Sequence, residues 1–279
     1  IYNLFYMNKI NLKVSTKTVP ITIGNNIITR KSLDTYVKTN NVVVITNTTV
    51  AKLYLKDLKK VLYKRNIFSY VLPDGEKYKN INSLNKIHDY LIKSKLNRDI
   101  TILALGGGVI GDIAAFAADT FLRGVPLIHI PTTLLAQVDS SMGGKCGINH
   151  TLGKNLIGSF KHPEAVLIDI KYLKTLADKE YISGLAEVVK YGAISNPSFL
   201  KWLNKYSNQI LNRQTTSLIK LINTSVKEKV KIVHKDEKES NIRAYLNFGH
   251  TLGHAVESAM NYKKILHGEA ISLGMVFAS

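Results

Sequence analysis

The sequence predicts an α/β protein in which a doubly wound parallel sheet is followed by a helical part. Short β-branched runs without polar alternation, such as 41–47, are typical of strands buried on both faces of a parallel sheet. Helical patterns separate these runs, which is the order of a βαβ chain. From about residue 178 onward the pattern is helical. We therefore expect an α/β domain at 1–177 and a helical domain at 178–279.

The elements of the first part follow one another regularly. Residues 10–24 show two alternating stretches, which predict an edge hairpin. Buried strands are predicted at 41–47, 68–72, 100–105, 125–130 and 166–170, and helices at 49–65, 81–95 and 113–121. The segment 137–149 is rich in glycine and polar residues, so we expect a loop that binds an anion rather than core structure.

A glycine-rich turn, Gly106-Gly107-Gly108-Val109-Ile110-Gly111-Asp112, joins the third of these strands to the next helix. Bare backbone N–H groups at a helix N-terminus bind phosphate, but the same glycines also permit close packing of strand and helix. The spacing differs from that of the common dinucleotide motif, so the residues leave both readings open. Asp112 either caps the helix or reaches a ribose or substrate hydroxyl.

Two short segments of the helical part combine titratable residues with helical spacing. In 183–192, Glu187 and Lys190 lie three residues apart, as an exposed salt bridge or as a buried pair in which the carboxylate needs a cation. In 247–257, His250, His254 and Glu257 share one helix face, and His267 follows beside a glycine. Such histidines either cap and hydrogen-bond the helix or form a metal or proton-transfer site, which the neighbouring glycines favour.

Composition narrows the function classes. The chain has 279 residues, of which 45% are hydrophobic, and no apolar run has the length of a membrane span. The N-terminal segment 1–7 is too short for a signal peptide, and Met7 is a candidate start. The single cysteine, Cys146, indicates a reducing compartment and therefore a cytoplasmic protein.

The formal net charge of +18 raises the question of a nucleic-acid partner. The excess comes from lysines scattered through sequence rich in Asn and Ile, which a compositional bias explains equally well. No nucleic-acid-binding motif accompanies them, so we expect neither a nucleic-acid nor a membrane partner, and a small anionic substrate fits the charge.

Eight segments together resemble the 3-dehydroquinate synthase family of the sugar-phosphate cyclases. They are Pro-Asp-Gly-Glu-Lys-Tyr-Lys (73–79), Gly-Gly-Gly-Val-Ile-Gly-Asp (106–112), Pro-Thr-Thr-Leu-Leu (131–135), Gln-Val-Asp-Ser-Ser-Met-Gly-Gly-Lys (137–145), Leu-Gly-Lys-Asn (152–155), Ser-Gly-Leu-Ala-Glu-Val-Val-Lys-Tyr-Gly (183–192), Asn-Phe-Gly-His-Thr-Leu-Gly-His (247–254) and Leu-His-Gly-Glu-Ala (266–270). Their shared order makes the resemblance specific, and it extends from about residue 16 to the end.

The resemblance implies a Rossmann-like NAD-binding domain, a helical metal-binding domain and an active site between them. It implies zinc or cobalt on Glu187, His250 and His267. It implies NAD contacts at Asp74, Gly75, Glu76, Lys77, Tyr78, Lys79, Gly108, Val109, Ile110, Gly111, Asp112, Thr132, Thr133, Lys145, Lys154, Tyr172, Leu173, Lys174 and Thr175. It implies catalytic or substrate-binding roles for Asp139, Lys145, Asn155, Lys190, Lys229, Glu239, Arg243 and His254, with His254 as the proton relay. Arg123 matches an arginine that reaches a neighbouring subunit's site, which implies a homodimer.

The implied reaction converts 3-deoxy-D-arabino-heptulosonate 7-phosphate into 3-dehydroquinate and phosphate, a step of the shikimate pathway of aromatic amino acid biosynthesis. NAD⁺ is reduced and reoxidised within one turnover, so it is not consumed. The alternatives are a cyclase for another sugar phosphate, a relative of glycerol dehydrogenase, and a truncated remnant that binds NAD.

The sequence departs from the family at two points. Cys146 stands where the family often has Thr, which we expect to have little effect apart from sensitivity to oxidation. The family's helical domain continues past the equivalent of Ser279, so we expect reduced stability and weak activity of this chain alone.

Overall fold

The computed structural model describes residues 7–260 and 265–279, so the extension before Met7 lies outside the described residues. The chain forms two compact units. Unit 1 contains Ile1–Lys9, Val19–Thr132 and Ser140–Asp169, and unit 2 contains Ile10–Thr18, Thr133–Asp139 and Ile170–Ser279. The sequence-based division at 177/178 stays a proposal.

Seven strands of the described residues form one sheet in the order β1-β2-β9-β6-β5-β3-β4. The strands of this sheet are β1 (Asn8–Lys13), β2 (Thr18–Gly24), β3 (Asn41–Asn47), β4 (Asn66–Leu72), β5 (Ile100–Gly106), β6 (Leu127–Pro131) and β9 (Ala165–Asp169). In this sheet order, every neighbouring pair from β2 through β9, β6, β5 and β3 to β4 is parallel. The predicted edge hairpin is confirmed, with β1 at the edge of the sheet, and strands alternate with helices along the chain as predicted.

The burial of the strands follows their position in the sheet. All seven residues of β5 are buried, because strands flank it on both sides. The strand β4 was predicted to be buried, and this is wrong: only Leu72 is fully buried, and Asn66 and Val71 are exposed. The physical reason is that β4 is the outermost strand of the sheet, which its apolar composition does not reveal.

Helices connect these strands. They are α1 (Arg30–Tyr36), α2 (Thr48–Val50), which continues through the π-helical turn Ala51–Leu55 into α3 (Lys56–Val61), α4 (Ile81–Lys93) and α5 (Gly108–Thr120). Asn80 caps α4, because its side chain accepts a hydrogen bond from the Ser83 N–H at 2.9 Å. Leu84, Ile87, Leu91 and Ile92 have the apolar spacing that predicts this helix; the first three lie on its buried face, whereas Ile92 is 64% exposed.

Two predictions about the glycine-rich segments need correction. The helix predicted to begin at 113 begins at Gly108, with Gly107 as its N-cap, so Asp112 is an interior residue and does not cap it. The segment predicted as a loop at 137–149 enters a hairpin of β7 (Lys145–His150) and β8 (Gly153–Phe160), in which Cys146 and Ile148 are buried. Gly147 and Gly158 face each other there, and a side chain on either would overlap the opposite backbone. These glycines therefore allow tight strand pairing rather than loop flexibility.

Unit 2 is mainly helical, as expected. Its helices are α6 (Asp178–Ser195), α7 (Pro197–Lys205), α8 (Ser207–Leu211), α9 (Thr215–Lys235), α10 (His250–Ala259) and α11 (His267–Ala278). Glycines hold three of them close together: a methyl group at Gly268 would overlap the Ser183 carbonyl oxygen of α6, and one at Gly274 would overlap the Gly249 carbonyl oxygen. Within the described ranges, no helix is both long enough and apolar enough to cross a membrane.

Candidate active site

Glu187, His250 and His267 come together in unit 2 from three different helices. Glu187 lies in the middle of α6, and the two histidines are the first residues of α10 and α11. The Nε2 atoms of His250 and His267 each lie 3.6 Å from Oε1 of Glu187. One ligand atom from each residue lies within 4.8 Å of the other two. The close contacts made by Gly268 and Gly274 explain how the helix ends approach α6.

This cluster fits a divalent metal. Atoms that bind a tetrahedral zinc at about 2.0–2.1 Å lie about 3.3 Å apart, close to the separations of the two imidazoles from the carboxylate. The Glu187 side chain is 1% exposed, and its carboxylate faces the Lys190 ammonium and the two imidazoles. A buried carboxylate needs cations around it, and one carboxylate with two imidazoles is a ligand set of catalytic zinc sites.

The two histidines differ in their charge. Burial, reinforced by the Lys190 ammonium, lowers the pKa of His250 to about 4, so its imidazole is neutral at pH 7. Burial also opposes the charged form of His267, but hydrogen bonding and attraction from Glu187 and Glu257 raise its pKa to about 9. Without a metal, the His267 imidazolium supplies positive charge between the two carboxylates.

His254 lies next to this cluster but is more accessible. Its ring centroid is 5.2 Å from that of His250, one helical turn earlier. Its side chain is 61% exposed, and its Nε2 atom lies 3.9 Å from Oε2 of Glu257. An imidazole that is open to water can transfer protons, and the role of His254 as the proton relay stays a prediction.

A buried network of charged and hydroxyl groups lies on the next turn of α6. Lys190 forms an ion pair with Glu187, and Lys229 of α9 donates to Oδ1 of Asp139 at 2.6 Å. The Tyr191 hydroxyl donates to the same oxygen at 2.7 Å and lies 3.1 Å from the Val138 carbonyl oxygen. The Glu187/Lys190 pair is therefore buried, and the alternative of an exposed salt bridge is wrong.

Charge and burial shift the pKa values of this network in different directions. Burial raises the pKa of Asp139, but the Lys229 and Lys190 ammonium groups lower it far more, so Asp139 is ionised. Burial lowers the pKa of Lys229 despite the attraction of Asp139. Burial, with Asp139 and Glu187, raises the pKa of Tyr191 well above its ordinary value, so its hydroxyl keeps its proton. The network thus contains an ionised carboxylate, buried lysine side chains and a hydroxyl donor.

Arg243 is held by the loop between α9 and α10. The Asp236 carboxylate accepts hydrogen bonds from the backbone N–H groups of Ser240, Asn241 and Arg243 at 2.9, 2.7 and 3.0 Å. These bonds lower the pKa of Asp236 to about 2 against the effect of burial. In the same loop Glu239 accepts from the Asn247 side chain at 3.0 Å and adopts a left-handed φ of 60°. Asp236 is therefore the residue that orders this loop.

The glycine-rich turn of unit 1 has the geometry of an anion cradle. The N-cap of α5 is Gly107, which has no side chain with which to cap the helix. A Cβ at Gly108 would lie 3.2 Å from Oγ of Ser140, and one at Gly106 would lie 2.6 Å from Cβ of Ile110. The fit of a dinucleotide phosphate rests on this bare backbone and helix dipole. The Lys79 Nζ atom lies 2.6 Å from Oδ2 of Asp112 and forms an ion pair with it.

The other predicted residues of unit 1 lie on neighbouring turns. Asp74 accepts hydrogen bonds from the Asn47 and Thr49 side chains at 2.7 and 2.6 Å. Glu76 accepts from Asn149 at 2.7 Å, and Asn149 in turn accepts from the Asn155 backbone N–H at 2.9 Å. The 73–79 turn is thereby tied to the β7–β8 hairpin, which includes Lys145 and Lys154.

The remaining predicted residues are distributed over both units. Arg123 lies on an exposed turn of unit 1 with a φ of 65°. Thr132 is buried in unit 1, and its N–H donates to the Gly106 carbonyl oxygen at 3.0 Å. Thr133 belongs to unit 2 and accepts from the Ala136 N–H at 3.2 Å. The 172–175 segment lies in unit 2, where the first two side chains are buried and Lys174 and Thr175 are more accessible.

Comparison with known proteins identifies the family. Residues 69–183 match the family described as 3-dehydroquinate synthase N-terminal, and residues 184–279 match 3-dehydroquinate synthase C-terminal. The 3-dehydroquinate synthase of Acinetobacter baylyi is 49% identical over 275 residues, which are 98% of this chain and 76% of the relative. The chain belongs to the 3-dehydroquinate synthase family.

Solved structures support the same fold. A 2-deoxy-scyllo-inosose synthase complexed with carbaglucose-6-phosphate, NAD⁺ and Co²⁺ superposes with a TM-score of 0.87 at 27% identity, over 97% of this chain and 75% of that one. A 2-epi-5-epi-valiolone synthase from Streptomyces hygroscopicus with NAD⁺ and Zn²⁺ bound gives 0.86 at 24% identity, over 96% and 75%. The predicted class, a doubly wound α/β sheet with a helical C-terminal part, is confirmed.

Sequence reasoning missed three residues of this 3-dehydroquinate synthase site. Tyr191 was not predicted to have a role, although it lies one turn after Glu187. Glu257 was placed on the histidine face without a function, and its contact with His267 depends on how α10 and α11 pack. Asp236 could have been suspected from its place before a polar loop, where Asp commonly accepts backbone hydrogen bonds.

Proposed function

We propose that this chain is a 3-dehydroquinate synthase that converts 3-deoxy-D-arabino-heptulosonate 7-phosphate into 3-dehydroquinate and phosphate. The observation that supports the site most strongly is the buried Glu187, whose carboxylate faces two imidazoles at 3.6 Å. Membership of the family supplies the reaction, and the site supplies residues with the chemistry it needs. The enzyme is a lyase of the shikimate pathway.

The cofactors are NAD⁺ and a divalent metal, zinc or cobalt. Glu187, His250 and His267 would hold the metal, which polarises a substrate hydroxyl and makes it easier to deprotonate. The cradle at 106–112 and the turn at 74–79 would hold NAD⁺, which accepts a hydride from the substrate carbon and returns it later. In this proposal the 1–177 domain binds NAD and the 178–279 domain binds metal and substrate.

The chain's own residues recognise and orient an anionic substrate. Lys190, Lys229 and Arg243 are buried cations, and they suit the phosphate and carboxylate of the substrate. Asp139 keeps Lys229 in place, so the Lys229 ammonium points in a fixed direction before substrate arrives. Lys145, Asn155 and Glu239 are proposed as further substrate contacts.

In this proposal His254 is the residue that transfers protons. Oxidation of one substrate carbon makes the neighbouring C–H acidic, and loss of that proton permits phosphate to leave. His254 is the exposed imidazole beside the proposed metal ligands, and an imidazole gains and loses protons near neutral pH. The later aldol closure forms the ring after the hydride has returned.

We also propose that the enzyme is a cytoplasmic homodimer. Arg123, on an exposed turn, matches the family arginine that reaches a neighbouring subunit. The free thiol of Cys146 is compatible with a reducing compartment.

The test is phosphate release from 3-deoxy-D-arabino-heptulosonate 7-phosphate with NAD⁺ and Zn²⁺ or Co²⁺, while absorbance of reduced nicotinamide is followed. We expect release that a chelator abolishes and added metal restores, with no net formation of NADH. Stoichiometric accumulation of NADH would indicate a dehydrogenase. Failure to release phosphate despite binding of NAD⁺ and metal would reject the proposed substrate.

A further inference from the structure

We propose that Glu257 is a positioning residue that fixes the tautomer and orientation of His267 as a metal ligand. This inference rests on the proposed metal site of Glu187, His250 and His267, to which Glu257 does not belong.

The two nitrogens of His267 face two different carboxylates. Nε2 lies 3.6 Å from Oε1 of Glu187, and Nδ1 lies 3.5 Å from Oε2 of Glu257. Glu257 is 3% exposed and lies in the last part of α10, whereas His267 begins α11. The buried carboxylate therefore approaches the ring on the side opposite the proposed ligand atom.

A comparable arrangement is found at His250. Its Nδ1 atom lies 3.2 Å from the Phe248 carbonyl oxygen, while its Nε2 atom faces Glu187. With Nδ1 protonated, both imidazoles present the Nε2 lone pair to the same point. The Phe248 carbonyl oxygen lies beside Nδ1 of His250, and the carboxylate of Glu257 occupies the equivalent place beside Nδ1 of His267. A carboxylate at this position also makes the imidazole a stronger ligand.

His254 does not compete for this role. Its Nε2 atom is 3.9 Å from Oε2 of Glu257, and its side chain is 61% exposed. The same three residues, His254, Glu257 and His267, could instead surround a second ion, since one atom of each lies within 4.8 Å of the others. Metal stoichiometry separates the two arrangements.

The experiment compares two variants of Glu257 in the full chain. Glu257→Gln removes the charge but keeps an acceptor, and Glu257→Leu removes both at similar size. Glu228→Gln is the matched control, because Glu228 is also a buried carboxylate that accepts hydrogen bonds, from Ser195 and Asn196. The readouts are the number of Co²⁺ ions bound, their dissociation constant and the visible absorption spectrum of the Co²⁺ protein, with circular dichroism of the metal-free proteins as the control for folding.

We expect one Co²⁺ per chain, bound about tenfold more weakly by Glu257→Gln and up to about 100-fold more weakly by Glu257→Leu, with an altered Co²⁺ spectrum. The control should keep the affinity and spectrum of the wild type. Wild-type affinity and spectrum in both Glu257 variants would overturn the inference, as would two Co²⁺ ions in the wild type and one in Glu257→Gln. If the wild type binds no Co²⁺, or if Glu187→Gln binds it normally, the proposed metal site itself fails.

Discussion

Glu187 is the residue on which the site depends most directly. It is 1% exposed, it pairs with Lys190, and it faces His250 and His267. Its burial follows from the small and apolar neighbours in 183–192, which the sequence displays. The need for a cation beside it follows from the cost of burying an unpaired carboxylate.

Substitution of Glu187 tests its role as a metal ligand. We expect Glu187→Gln to lower kcat for phosphate release by about 1,000-fold, because loss of metal polarisation costs several kcal/mol of transition-state stabilisation. The measurement is steady-state phosphate release at saturating substrate, NAD⁺ and Zn²⁺. Glu180→Gln, on the same helix, is the control and should keep its activity. A Glu187→Gln protein with metal content and kcat near those of the wild type would refute the assignment.

His129 gives unit 1 a predictable dependence of stability on pH. It is buried in β6, and burial lowers its pKa from the ordinary 6.5 to about 4. Because the folded pKa is depressed, the unfolded chain takes up the proton first as the pH falls. Stability from this residue is therefore complete above pH 6.5 and is lost progressively between about pH 6.5 and 4.

The expected loss from His129 over this range is about 3 kcal/mol in the free energy of unfolding. Urea unfolding of the wild type and of His129→Gln at several pH values measures it. As the pH falls, the free energy of unfolding of the wild type should decrease by more than that of His129→Gln. The comparison cancels the contribution of the carboxylates, because both proteins contain them. A difference that stays constant from pH 7 to 4 would contradict the account.

The helix ends of unit 2 depend on contacts that only glycine permits. At Gly274, a methyl group would overlap the Gly249 carbonyl oxygen, which precedes His250. We expect Gly274→Ala to destabilise the protein by about 1–3 kcal/mol, as overpacking does, and to weaken metal binding because α10 and α11 must separate. The measurement is urea unfolding together with Co²⁺ titration.

Leu273→Ala is the control for Gly274→Ala. Leu273 is the preceding residue of α11 and is 54% exposed, so its truncation should change stability by no more than about 0.5 kcal/mol. Equal stability and equal Co²⁺ affinity of Gly274→Ala and the wild type would show that the close contact is not required.

Elements with a clear local sequence pattern were predictable, but which elements pack or pair with one another was not. The bounds of β3 agree with the prediction because a run of Val and Ile lies between polar residues. The exposure of β4 and the β7–β8 hairpin depend on which strands lie beside them. The alternation of polar and apolar residues that predicts a strand is absent where glycines pair across two strands, as Gly147 and Gly158 do.

For the whole molecule, the family and its reaction were predictable because eight short segments have sequences characteristic of the family and occur in the same order. Reasoning from residue types alone reached only an anion cradle and a histidine cluster with alternatives open. Contacts such as Tyr191 with Asp139, which are 52 residues apart, depend on helix packing that no local pattern contains. The residues proposed to hold the cofactors belong to separate units, with 106–112 in unit 1 and Glu187 in unit 2.

The most direct test of the whole account follows the hydride. Substrate labelled with deuterium on the carbon that is oxidised should be converted into 3-dehydroquinate that retains the deuterium on that carbon, with phosphate released and no label in free nicotinamide. This result is expected because the same bound NAD accepts and returns the hydride within one turnover. Product without deuterium, or deuterated NADH released into solution, would contradict the assignment of this chain as a 3-dehydroquinate synthase.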